Sequence, residues 1–299
     1  VFLIEGMGRY ALNDYKGAAD VYQTYLTYQP YLPAVHNNLG QAYEAMGDDD
    51  AAEKAYLAGL ETFSGDGSGI LLSNLAAVCK RQGIVDQAVA MYESGINLPA
   101  EGHHNLGLIY AERGLWDQSL KAYGQALDQA PDMTIVYFSM AGVRLLKGDD
   151  ENASRNYETF LDRWEGTQDY VRDARHRLRQ IYPVMGDRYL RGQHLDEAGS
   201  IYERLLLLGD ESPEVWNNLV LISGRLKKYD KAQQYAQLGL ERHPQFFQLH
   251  LSLATVYEHQ GDRAQALEHY RTFLGNIPQN DPLARKAQKR VKNLRLFTR

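Results

Sequence analysis

In the stretch NLGLIYAERGLWDQSLKAYGQALDQAP (Asn105–Pro131), apolar residues fall into two runs of helical length and spacing, one on each side of Gly114. Small residues (Gly107, Ser119, Ala126) alternate with large ones (Tyr110, Trp116, Tyr123). This predicts two antiparallel helices that cross at Gly107 and Ser119, with tyrosine rings filling the space on either side. Gly114 suits the left-handed conformation that ends a helix, and Pro131 cannot continue the second helix. So thin a hairpin cannot bury its apolar stripe alone, so it must stack on copies of itself.

The copies are present. The same pattern fits Gly6, Ala18, Tyr22 and Pro30, then Leu39-Gly40, Tyr43, Gly47, Ala52 and Tyr56, then Leu75-Ala76, Gly83, Ala88 and Tyr92. After the stretch quoted it finds Met140-Ala141, Gly148, Ala153 and Tyr157, and then Met185-Gly186, Tyr189, Ala198 and Tyr202. Trp216, Leu219, Ala232, Gly239 and Pro244 carry a seventh unit, and Leu253-Ala254, Tyr257, Gly261, Ala266, Tyr270, Phe273 and Pro278 an eighth.

This recurrence resembles the tetratricopeptide repeat family, whose unit spans about 34 residues. The resemblance covers nearly the whole chain. It implies an all-α fold: an α-solenoid, wound as a right-handed superhelix, of about eight helix-turn-helix repeats plus a C-terminal capping helix. It also implies a protein–protein interaction scaffold, since in this family the first helices of the units line a concave groove that holds a peptide or a partner's helix. Carried over unit by unit, the groove positions are Asn37, Gln41 and Glu44; Ser73, Ala77 and Lys80; His104, Leu108 and Ala111; Phe138, Gly142 and Leu145; and Asn217, Leu221 and Gly224. Some members clamp a C-terminal carboxylate with lysine, asparagine and arginine from three successive units. Asn74 and Asn105 stand where an asparagine would, but the units after them lack the basic pair, which argues against a receptor of that type.

Three departures from the pattern interrupt the array. SGDGSG (Ser64–Gly69) replaces the usual proline; without a following Lys-Ser/Thr or a preceding strand it reads as a flexible loop and not as a phosphate cradle. GTQDYVRDARHRLRQ (Gly166–Gln180) sets Val171, Ala174, Leu178 and Ile181 on one helical stripe and Arg172, Arg175, Arg177 and Arg179 on the others. It predicts extra turns on the helix opening the sixth unit, kinked at Pro183, either as a structural spacer or as a basic ridge for an acidic partner. The expected organisation is therefore repeats 1–5 over residues 1–165, an extended helix with repeats 6–8 over 166–280, and a basic capping helix over 281–299. In that last segment Leu283, Ala287, Val291 and Leu294 share one face, and Arg285, Lys289, Lys292 and Arg299 another. It reads as a solvated cap or as a basic amphipathic helix that docks on acidic protein, anionic lipid or nucleic acid.

TIVYFSMAGVRLL (Thr134–Leu146) is apolar nearly all round, which a helix buried on all sides would be. Either Phe138 and Leu145 form an apolar binding patch beside Leu108, or the inserted helix folds back over them.

Charge narrows the partners. Of 32 basic and 38 acidic residues, residues 281–299 hold seven basic and one acidic, leaving 25 and 37 in the first 280. An acidic body argues against nucleic-acid binding and against a membrane partner, except through the basic C-terminal helix. The nine histidines show no metal-ligand spacing, and Asp48-Asp49-Asp50 and Asp149-Asp150-Glu151 stand where acids cap the next helix. No catalytic arrangement, cofactor, metal site or small-molecule substrate is expected; the partner is another protein. A role as an assembly or secretion factor is analogy from fold. The single cysteine, Cys79, excludes an internal disulfide and leaves the compartment open between cytoplasm and bacterial periplasm. The chain begins at Val1 with no polar cap on its first unit, so a leader, an anchor or a further domain is expected before it, and the chain would then be the interaction segment of a larger protein.

Overall fold

Every turn inside a hairpin closes in one way. The residue that ends the turn has positive φ in all eight units: Asn13, Gly47, Gly83, Gly114, Gly148, Gln193, Lys227 and Gly261. The next N–H then reaches back five residues to a carbonyl of the first helix, as Leu115 does to Tyr110 at 2.8 Å and Asp262 to Tyr257 at 2.9 Å. Asp14, Asp48, Asp149 and Asp262 sit at the start of the second helix and accept a hydrogen bond from the backbone N–H three residues on. That accounts for part of both acidic runs.

The computed structural model describes residues 2–62, 68–94 and 98–296. Among them are seventeen helices and no strand, an all-α repeat fold. The chain divides into two compact units, Val1–Trp164 and Glu165–Arg299. The first holds five hairpins: α1 (Phe2–Ala11) with α2 (Tyr15–Tyr28), α3 (Pro33–Ala45) with α4 (Asp49–Thr62), α5 (Ser68–Arg81) with α6 (Val85–Ser94), α7 (Ala100–Glu112) with α8 (Trp116–Gln129), and α9 (Ile135–Leu146) with α10 (Asp150–Arg163). The second holds three, α11 (Gln168–Arg191) with α12 (Leu195–Leu207), α13 (Pro213–Arg225) with α14 (Tyr229–Arg242), and α15 (Gln248–Gln260) with α16 (Arg263–Asn276), followed by a single helix, α17 (Pro282–Leu296). The SGDGSG loop lies outside the described residues up to Gly67; Ser68 and Gly69 open α5.

Seven of the eight hairpins are pinned by a tyrosine of the second helix set against a glycine or alanine of the first. Tyr22, Tyr56, Tyr92, Tyr123, Tyr157, Tyr202 and Tyr270 are all buried. In the seventh hairpin Ala236 takes the tyrosine's place, and the aromatic volume comes from the opposite helix as Trp216, within the same core cluster. Cys79, in α5, is fully buried, and burial pushes its thiol pKa up, as for an inert core thiol.

The inserted segment extends α11 by several turns, with Pro183 inside it. Ala174, Leu178 and Ile181 are buried along its stripe. Its arginines are largely engaged: Arg172 pairs with Asp169, Arg177 with Asp173 at 3.5 Å, and Arg179 donates to the Leu208 carbonyl at the end of α12. α17 covers the last hairpin by burying Ala287, Val291 and Leu294 against Ala254, Ala266, Tyr270 and Phe273, and its Ala284 is buried as well. Leu283, expected on that face, is not part of it. One residue from Ala284 is a rotation of about 100° on a helix, so Leu283 stays partly exposed on the side of α15.

Candidate binding groove

Groove positions carried over from the sequence lie at equivalent places on successive first helices, which brings them against each other. In the Val1–Trp164 unit this engages most of their polar atoms. Asn74 donates to Asn37 at 2.8 Å, and Lys80 pairs with Glu112 at 3.0 Å. Glu44 accepts from the Tyr56 hydroxyl and from Arg81 at 2.7 Å, and Arg81 also holds Asp49. Burial and the neighbouring Glu44 carboxylate push the Tyr56 hydroxyl far up, so it acts as a donor. Ser73 is buried, and its carbonyl accepts from Tyr92 at 3.1 Å. His104 meets Ser139 at 2.9 Å, tilts over the Tyr123 ring, and has its pKa lowered chiefly by burial. Of the polar set, Gln41 is exposed and has no partner among the described residues.

The apolar positions of this unit are half-buried. Phe138 lies edge-on to Tyr157 with centroids 5.5 Å apart and against Phe160 at 5.2 Å, inside its own hairpin. Leu108 packs on the cluster of Tyr123, Val136 and Val143, and Leu145 is half-buried beside the exposed end of α9 at Leu146.

The Glu165–Arg299 unit is different. There the first helices α13 and α15 and the capping helix α17 enclose a groove of about 710 Å³, within the range of small-ligand and peptide side-chain pockets, about 300–1,000 Å³. Asn217, Leu221 and Gly224, the positions carried over for the seventh unit, line it. Gly224 is required by the close approach of α15, because a Cβ there would stand 2.8 Å from Val256 Cγ2. Asn217 accepts from the Ser252 hydroxyl at 2.6 Å, the same cross-helix pairing seen in the other unit, but Leu221 faces open space in the groove. Leu251 and Thr255 continue the floor from α15, while Leu283 and Lys286 form the wall contributed by α17. Two of the unit's three hairpin turns supply the rim, Gln193 from one and Lys227 from the other.

Leu251 and Thr255 hold the register of Asn217 and Leu221 one unit later, so the repeat itself was signal enough to find them. Leu283 and Lys286 were not reachable that way, because they belong to a helix outside the repeat. Among the described residues no group of three or more His, Cys, Asp or Glu could hold a metal ion, and no helix is long and apolar enough to cross a membrane.

Two family models, both described as Tetratricopeptide repeat, match the chain. One covers residues 100–133 and the other residues 5–67 and 224–281, together just over half the sequence. No curated protein matches it. Similar solved structures include MamA (20% identity, TM-score 0.46, covering 53% of this chain and 93% of that one). A tetratricopeptide repeat protein from Parabacteroides merdae (15%, TM-score 0.43, 88% and 98%) and the TPR2AB domain of yeast Sti1 in complex with pHSP90 (13%, TM-score 0.45, 88% and 98%) are also similar.

Proposed function

The chain belongs to the tetratricopeptide repeat family, and from that premise we propose that it is a non-catalytic protein–protein interaction scaffold whose groove between α13, α15 and α17 takes a peptide or a helix of another protein. The observation that carries this reading is a concave surface lined by the half-buried Leu221 and the exposed Leu283, with polar groups converging from the rim. Elsewhere along the first helices the equivalent groups hold one another, which suits a stiff frame better than a second receptor. In this reading residues 1–165 are a five-repeat frame, 166–280 the receiving array, and 281–299 both cap and wall. An assembly or secretion factor is the role such a frame fits.

The test is affinity capture from the source organism's extract followed by mass spectrometry, with the intact chain beside Leu221→Asn combined with Leu283→Asn. Both leucines sit partly exposed, so the variant keeps its fold, checked by circular dichroism. A partner held by the intact chain and lost from the variant supports the groove. Equal capture by both overturns it.

A further inference from the structure

Acidic residues outnumber basic ones in this chain, 38 to 32. Yet no carboxylate lines the groove between α13, α15 and α17, whereas Arg225, Lys227, Lys286 and Arg290 all do. Arg290 is held by Glu258 at 2.9 Å. The other three are exposed and have neither an ion-pair nor a hydrogen-bond partner for their side chains among the described residues. Unneutralised charge of one sign around a concave apolar floor raises the local concentration of the opposite sign.

The backbone of the rim fixes where two long polar side chains stand. Five of the eight hairpin turns place glycine at the positive-φ position, where it adopts that conformation freely; Gln193 (φ 64°) and Lys227 (φ 58°) do so at a cost, because a side chain there crowds the carbonyl. Both line this groove. Among the described residues neither side chain makes a hydrogen bond of its own. The turns themselves are closed by His194 N–H to the Tyr189 carbonyl and Lys228 N–H to the Ser223 carbonyl, both at 2.9 Å, which leaves the Gln193 and Lys227 side chains unused at the rim.

We infer that the groove takes an acidic amphipathic segment of a partner protein, in which aliphatic side chains are flanked by aspartate or glutamate. The aliphatic side chains rest on Leu221, Leu251 and Leu283. The flanking carboxylates meet Arg225, Lys227 and Lys286, and the Gln193 amide donates to the segment's backbone or side chains. The capping helix is therefore also a specificity element. The inference rests on the reading of this groove as the partner site.

Selection of short random peptides displayed on phage against the full chain tests it, with affinities of the winners as synthetic peptides measured by fluorescence anisotropy. The expected winners combine aliphatic residues with net negative charge. Changing their Asp and Glu to Asn and Gln weakens them by about tenfold or more, and Lys286→Gln and Lys227→Gly each weaken them by up to about fivefold, the range for exposed ion pairs. Lys227→Gly at the same time raises the melting temperature, which a residue serving the fold alone would not combine with lost binding. Winners that lose binding in Leu221→Asn with Leu283→Asn, but carry no acidic bias or tolerate neutralisation, overturn the charge inference and leave the groove reading standing. Winners indifferent to that double variant, or a selection that yields none, overturn both.

Discussion

An edge of the Tyr123 ring packs against Gly107: a Cβ on residue 107 would stand 2.5 Å from ring Cδ1, nearer than non-bonded Cβ contacts come. The same relationship joins Gly40 to Tyr56, where the Cβ would meet Cζ at 2.5 Å, and Gly186 to Tyr202 at 2.8 Å. Ser119, fully buried, closes the other side by donating to the Gly107 carbonyl at 2.7 Å. Gly107→Ala therefore destabilises by about 1–3 kcal/mol through overpacking, although alanine favours a helix by about 1 kcal/mol. Tyr123→Ala costs about 3–5 kcal/mol, because it empties a buried aromatic site. Denaturant unfolding of the two variants checks both values; a stabilised Gly107→Ala would show that the ring does not define the helix crossing.

The turns predict an asymmetry. Gly114 has φ 72° and open space around a built Cβ, so Gly114→Ala costs only the backbone penalty, about 1 kcal/mol. Lys227, at φ 58°, gains about the same on replacement by glycine. Thermal melts of the two variants, read side by side, should move in opposite directions.

His250 and His269 face each other through their Nδ1 atoms at 3.0 Å, with Tyr257 stacked on His269. One N–H donates to the other ring's lone pair, which requires at least one neutral imidazole. Burial lowers both pKa values; His250 is lowered further by His269, while Glu268 opposes the shift at His269. A depressed folded pKa gives stability that is complete above the unfolded value, about 6.5, and that is lost as pH falls through the folded values. Stability of the Glu165–Arg299 unit therefore falls as pH drops below about 6.5, and His269→Phe flattens that slope. Urea titrations of both proteins across this range measure it; parallel pH profiles would exclude the pair as the cause.

The hairpins were legible in sequence because their determinants are local. Gly107 and Tyr123 are one turn-and-return apart, and every hairpin but the seventh repeats that spacing of a small residue and a tyrosine. The groove was half legible. Register along the repeat reached Asn217, Leu221 and Gly224, and would have reached Leu251 and Thr255 by the same step. Two things lay beyond it. Pairings between units, such as Arg81 with Glu44 and Asp49, depend on how one hairpin stacks on the next, and they turn groove positions into frame contacts. The rotation of α17 is set by which stripe its alanines can bury closely, and that choice turned Leu283 and Lys286 towards the groove.

Hydroxyl-radical footprinting of the full chain, with and without its captured partner, addresses the groove most directly. The account predicts that oxidation of Leu221, Leu251, Leu283 and His259 drops on binding, while exposed side chains of the first unit such as Leu57 and Leu146 keep their rates. Protection confined to residues 2–164, with those four groove residues unchanged, would contradict it.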